Sequence, residues 1–275
     1  MSPSPLITAV DLVEVLDGRL PPLLLDCRAR LGEPDAGYTL WWEAHLPGSV
    51  HLDLDLDLAG PPGEGGRHPL PGREAFTATL RRLGVTPEAP VVVYDDRGGQ
   101  LAAARAWWML ARWAGHPDVR LLDGGIGAWQ EAGGELVEGD GAAPSVSAWT
   151  PCFDDDAWVD ADTLQAKAPR LVDARAETRF RGEAEPIDPV AGHIPGAVCR
   201  PSAENLTPAG TFKAPDRLDA ELPEAEETVA YCGSGVTACH TILAYAVAGR
   251  PLPRLYPGSW SEWIRDPARP VATGD

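Results

Sequence analysis

Leu23-Leu24-Leu25-Asp26-Cys27-Arg28 is answered 147 residues later by Arg170-Leu171-Val172-Asp173-Ala174-Arg175. Each is a short apolar run closing on an aspartate, with an arginine two positions on. Three further blocks return in the same order. Ala44-His45-Leu46-Pro47-Gly48-Ser49-Val50 returns as Gly192-His193-Ile194-Pro195-Gly196-Ala197-Val198. The run ending Val93-Tyr94-Asp95 returns as Ala230-Tyr231-Cys232, with Cys232 lying 137 residues after Asp95. Asp123-Gly124-Gly125-Ile126-Gly127-Ala128-Trp129 returns as Pro257-Gly258-Ser259-Trp260-Ser261-Glu262-Trp263. Self-similarity in constant order with slowly drifting offsets is the mark of a duplicated domain whose loops have diverged.

Within each copy, short apolar runs alternate with stretches of helical spacing. Strands are expected at 22–26, 50–54, 90–94 and 119–122, then at 171–173, 197–200 and 228–231. Helices are expected at 8–16, 72–83 and 100–114, then at 163–168, 215–222 and 237–248. The alternation predicts an α/β fold, two domains in tandem, each a mainly parallel sheet flanked by helices on both faces. The boundaries fall at 5–135 for the first domain and 157–271 for the second. The Gly-, Ala- and Pro-rich stretch between them, 136–156, reads as a linker.

The chain of 275 residues is long enough for two such cores, and its composition is that of a water-soluble globular protein. A net charge of −18 repels phosphate backbones and anionic lipid, so neither a nucleic-acid nor a membrane partner is expected. No run reaches the roughly 18 apolar residues of a membrane span, and residues 1–10 lack a secretory pattern, which predicts a cytoplasmic protein. The five cysteines, Cys27, Cys152, Cys199, Cys232 and Cys239, show no metal-ligand spacing, and neither a metal nor another cofactor is expected.

One cysteine has distinctive neighbours: Tyr231-Cys232-Gly233-Ser234-Gly235-Val236-Thr237-Ala238. It follows an apolar strand and precedes a helix, the carboxyl-end position where open α/β sheets place their sites. Gly233 and Gly235 allow successive backbone N–H groups to converge on one centre, backed by the helix N-terminus. Such a cradle stabilises a thiolate, a persulfide or an oxyanion, as a nucleophilic cysteine requires. On spacing alone, a cysteine packed at a tight turn fits equally well.

These features together resemble the tandem rhodanese family: the Cys232–Ala238 loop, the paired Asp-x-Arg and His-x-Pro-Gly blocks, and the closing Gly258–Trp263. The resemblance spans nearly the whole chain. It implies a sulfurtransferase whose second domain carries the catalytic cysteine, Asp95 marking its loss from the first. It further implies a persulfide on Cys232 that passes from a small anionic donor to a thiophilic acceptor, such as a thiol, cyanide or thioredoxin. Thiosulfate enzymes of the family carry two basic residues after the cysteine. Gly233 and Ser234 here resemble the 3-mercaptopyruvate branch instead. In that branch the loop serine, Ser234, is backed by a histidine and an aspartate, which match His68 and Asp53. Arg179 matches the arginine that grips the donor, and Gly233, Gly235, Val236 and Thr237 complete the binding loop. The branch offers a second arginine about nine residues on, where this chain has Ile187 and Asp188; Arg181 is one candidate to replace it.

The alternating Leu52–Leu58 stretch suggests a strand whose Asp55 and Asp57 face solvent. Arg28 and Arg175 are expected to pair with Asp26 and Asp173, and His45 and His193 to serve their turns. Cys239 is expected as a packed helix residue two turns in, with resolution of a persulfide as its alternative role. Trp260 and Trp263 are expected in the core or at the pocket wall. The competing functional readings are a thiosulfate sulfurtransferase and a non-catalytic binding module. A Cys-x5-Arg phosphatase is disfavoured, because position 238 is alanine.

Overall fold

The structure, a computed structural model, describes residues 4–141, 144–167, 169–223 and 227–275. Ala168 at the end of an expected helix, and Ala142 and Ala143 of the expected linker, lie outside the described residues. The chain divides into two compact units. The first holds residues up to Gly60, Pro71–Asp154 and Pro208–Phe212. The second holds Pro61–Leu70, Asp155–Thr207 and Lys213–Asp275. Residues 61–70, read as part of the first copy, thus belong to the second unit.

The first unit runs β1 (Leu6–Ile7), α1 (Ala9–Leu16), β2 (Leu23–Asp26), α2 (Ala36–Glu43) and β3 (Val50–His51). It continues with α3 (Arg73–Arg82), β4 (Val91–Tyr94), α4 (Ala102–Trp108), β5 (Val119–Leu122) and α5 (Gly125–Glu131). The sheet order is β1-β5-β4-β2-β3 and every pairing is parallel. All four residues of β4 are buried, as a strand covered on both faces must be. Thr8 starts α1 by accepting the Asp11 N–H on its hydroxyl at 3.1 Å. The helix expected at 100–114 is α only to Trp108 and continues as a π turn over Met109–Trp113.

The 52–58 stretch is not a strand. The Asp53 carboxylate accepts the N–H groups of Asp55 and Leu56, each at 2.8 Å, and folds the chain into a turn. Asp55 is exposed as expected, but Asp57 is buried, accepting from Asp53 N–H, the Thr79 hydroxyl and the Arg82 guanidinium. Alternation here arises from the turn, not from a pleat.

The second unit contains α6 (Ala161–Lys167), β6 (Arg170–Asp173), α7 (Glu177–Phe180), β7 (Ala197–Cys199) and α8 (Pro215–Glu221). β8 (Thr228–Tyr231), α9 (Ala238–Val247), β9 (Arg254–Leu255) and α10 (Ser259–Trp263) follow. Its sheet, β7-β6-β8-β9, is also parallel throughout. Trp260 and Trp263 are buried in its core with Val229, Tyr231 and Tyr256.

The duplication persists at the level of single hydrogen bonds. Arg28 grips Asp26 and donates to Ala44 carbonyl; Arg175 grips Asp173 and donates to Gly192 carbonyl. The Tyr94 hydroxyl accepts Leu46 N–H, and the Tyr231 hydroxyl accepts Ile194 N–H, both at 3.2 Å. His45 and His193 are buried against the carbonyls of Trp41 and Phe180, so both serve structure.

Candidate active site

Cys232 leaves the end of β8 with 3% of its surface exposed. Its carbonyl accepts Trp260 N–H at 3.0 Å, as the Asp95 carbonyl accepts Ile126 N–H at 3.0 Å in the first unit. Its own N–H donates to the Ser259 hydroxyl at 3.1 Å, and that hydroxyl donates to the Tyr256 carbonyl. Ser259 adopts φ +53°, alone among the described non-glycine residues in having positive φ. The corresponding residue of the first unit is Gly125, at φ +58°. A serine held there costs about 1–2 kcal/mol of backbone strain, and what it adds is the hydroxyl that fixes the cysteine's backbone.

The loop after Cys232 is buried, and the N–H groups of Gly233, Ser234, Val236 and Thr237 find no acceptor among the described residues. Buried N–H groups are rarely left without partners. The first unit shows what this geometry accepts. There the Asp95 carboxylate takes the N–H groups of Arg97 at 2.9 Å and Gly99 at 2.8 Å. At the offset that places Cys232 on Asp95, those donors correspond to Ser234 and Val236. One copy of the loop has its anion built in, and the other holds the same donors open beside a thiol. Gly235, at φ +77°, makes the turn possible; a Cβ there would collide with the Pro257 carbonyl oxygen.

His68 and Ser234 meet as expected: the ring Nδ1 lies 2.8 Å from the serine hydroxyl, and both residues are buried in the second unit. Asp53 belongs to the first unit, where His51 Nε2 lies 3.6 Å from its carboxylate. Burial opposes its ionisation, yet His51 and the N–H groups of Leu56 and Asp55 hold its pKa below the ordinary value. Arg179 lies at the loop, its Nη1 and Nη2 each 3.5 Å from where a Cβ of Gly233 would stand. Its other contacts are Glu185, through Nε and Nη2, and Asp188 at 3.2 Å. Burial pushes the Glu185 pKa up, but Arg179 and the N–H groups of Asp188 and Ile187 outweigh it and keep the value low.

Arg181 does not replace the missing arginine, because it pairs with Glu177 and Asp275 at the surface. The basic residue that sequence reading missed is Arg67. It pairs with Asp188, its backbone N–H donates to the Ser261 hydroxyl, and its Nη2 lies 2.9 Å from the same Gly233 Cβ position. The signal available was its adjacency to His68. Cys239 sits in the first turn of α9, not two turns in, buried with its thiol donating to the Gly235 carbonyl at 3.4 Å. No metal-binding cluster occurs among the described residues, and no helix among them is long and apolar enough to cross a membrane.

The family profile of the Rhodanese-like domain matches residues 8–132 and 157–266. A Pseudomonas aeruginosa protein named "Probable 3-mercaptopyruvate sulfurtransferase" is 48% identical over the full length of both chains. The Mycobacterium tuberculosis protein named "Putative thiosulfate sulfurtransferase SseB" is 43% identical over 98% of this chain and 97% of its own. Among solved structures, the 3-mercaptopyruvate sulfotransferase SseA of Escherichia coli superposes with a TM-score of 0.79 at 32% identity, over 94% of this chain and 100% of its own. With both halves matched and such relatives aligned end to end, the chain belongs to the rhodanese family, as a tandem of two rhodanese-like domains.

Proposed function

We propose that this sulfurtransferase takes its sulfur from 3-mercaptopyruvate and carries it as a persulfide on Cys232. The observation that supports this most is the open set of N–H groups around the thiol, whose counterpart in the first unit is filled by a carboxylate. The Cys232 thiolate attacks the donor sulfur and an S–S bond forms. The C–S bond breaks, leaving its electron pair on carbon as the enolate of pyruvate. Ser234, hydrogen-bonded to His68, delivers the proton that makes pyruvate. Asp53 enters as the acid that fixes the His68 tautomer on the family resemblance alone. Arg179 orients the donor carboxylate, while Gly233, Gly235, Val236 and Thr237 hold the persulfide. A thiol, cyanide or thioredoxin then takes the outer sulfur and releases the thiolate. A nucleophile that must stay reduced fits the cytoplasm.

Thiosulfate is the second reading, favoured by the name of the mycobacterial relative. Comparing kcat/KM for the two donors in wild type, Cys232→Ser and Ser234→Ala separates them. We expect wild type to favour 3-mercaptopyruvate and Cys232→Ser to be inactive with both donors. Ser234→Ala should slow 3-mercaptopyruvate turnover by about 10²-fold and thiosulfate turnover far less. Equal losses would remove Ser234 as proton donor, and turnover by Cys232→Ser would end the persulfide reading. Sulfur transfer from neither donor would favour the non-catalytic binding module.

A further inference from the structure

The helix behind the cysteine loop buries polar side chains where its counterpart has alanines. At the 137-residue offset that places Cys232 on Asp95, Cys239, His240 and Thr241 of α9 correspond to Ala102, Ala103 and Ala104 of α4. All six are fully buried. The Asn205 side-chain N–H donates to His240 Nδ1 at 3.3 Å, and Asn205 is itself fully buried. Asn205 closes a 3₁₀ turn, Ser202–Asn205, that is pinned to the end of the sheet. There the Ser202 N–H donates to the carbonyl of Ala174, the residue after β6, at 3.0 Å. The Cys239 thiol reaches the other way, to the Gly235 carbonyl of the loop.

The first unit ties the same two places with different residues. Arg105 of α4 donates through Nε and Nη2 to the Leu58 carbonyl, at 3.1 and 3.0 Å. Leu58 lies 147 residues before Asn205, the offset of the Asp26 and Asp173 blocks, whereas Arg105 corresponds to Ile242. The tie persists although the side chains that make it do not correspond. What differs is the loop it supports. Asp95 braces its own loop by accepting the Arg97 and Gly99 N–H groups. The Cys232 loop has a thiol in that place, and N–H dipoles that converge without an anion repel one another. The elements around such a loop must therefore hold its donors in position.

We propose that His240, held by Asn205, is a positioning residue for the sulfur chemistry. It fixes the first turn of α9 against the 3₁₀ turn, so that the loop keeps its N–H groups aimed at the Cys232 sulfur. This rests on Cys232 being the nucleophile and is independent of which donor feeds it.

His240→Gln and His240→Met test it, because the two side chains are close in volume and only glutamine can accept the Asn205 N–H. Iodoacetamide alkylation of Cys232 is followed across pH by mass spectrometry of the modified peptide, which reports how well the loop stabilises the thiolate. In His240→Met we expect the pH of half-maximal rate to rise by about one unit. Its kcat with 3-mercaptopyruvate should fall about tenfold, with KM within about twofold of wild type. His240→Gln should stay near wild type in all three measures. Asn205→Leu removes the tie from the other side and should match His240→Met. A wild-type alkylation profile in folded His240→Met or Asn205→Leu overturns the proposal. Equal shifts in His240→Gln and His240→Met also overturn it, since the shape of the ring would then be the cause. Failure of both apolar variants to fold overturns it as well, because the tie would serve the fold and not the loop. If Cys232→Ser still turns over donor, the nucleophile reading fails, and the alkylation profiles still decide whether the tie governs the loop.

Discussion

Asp95 and Cys232 occupy the same place in two copies of one loop, and the difference between a carboxylate and a thiol decides what each copy can bind. The Asp95 side chain fills its own ring of N–H donors, with Oδ1 on Arg97 and Gly99, while Oδ2 is buried without a hydrogen-bond partner among the described residues. Burial is the largest influence on this carboxyl, and it raises the pKa from the ordinary 3.8 to about 6 despite those donors. Below about 3.8 the group is protonated in both folded and unfolded chains. Between there and about 6 only the folded protein keeps the proton, so rising pH favours unfolding; above about 6 the cost is constant. Relative to Asp95→Asn, the wild-type unfolding free energy should fall by on the order of 3 kcal/mol across that window. Denaturant midpoints of both proteins from about pH 4 to pH 7 check this. Parallel curves would show that Asp95 does not titrate there.

At the scale of elements, the turn between β8 and α9 depends on Gly235. Its φ of +77° and the Pro257 carbonyl, which a methyl group at this position would strike, leave no room for a side chain. Gly235→Ala should therefore destabilise the protein by roughly 2–4 kcal/mol and remove most turnover. Thermal unfolding and a donor assay would reveal it, and wild-type values in both would show that the loop adapts. This loop was legible in the sequence because strand, glycines and helix start lie next to one another. So were the central strands, since parallel strands buried on both faces write themselves as unbroken apolar runs. β1 and β9, two residues each, leave no such trace. Leu52–Leu58 misled because Asp53 bonds forward to Asp55 and Leu56, and side-chain-directed turns imitate a period of two. The His68–Ser234 pair was reached through family resemblance; 166 residues of sequence separate the two, and no local pattern joins them.

For the whole molecule, the chain order and the packed units disagree at residues 61–70. Gly66, at φ +95°, lies so close to the closing block of the second unit that a Cβ would stand 2.7 Å from Ser261 Oγ and 2.8 Å from the Gly258 carbonyl. Gly66→Ala should push the segment off this seat and carry Arg67 and His68 with it. We expect about a 10²-fold loss of kcat/KM with 3-mercaptopyruvate, while iodoacetamide still alkylates Cys232 at a rate near wild type. Retained turnover would show that the segment tolerates the shift. Arg67 escaped sequence reading for the same reason: its partners Asp188 and Ser261 are far along the chain, and nothing near residue 67 announces them.

The placement of residues 61–70 also bears on descent. A gene that doubles normally leaves one copy free to decay, because its twin can do the work alone. Here the copy with Asp95 at that place lends ten residues, Arg67 and His68 among them, to the unit that holds Cys232. Under the proposed function, shedding the first half would take His68 from the second, and a redundancy would have become a dependency.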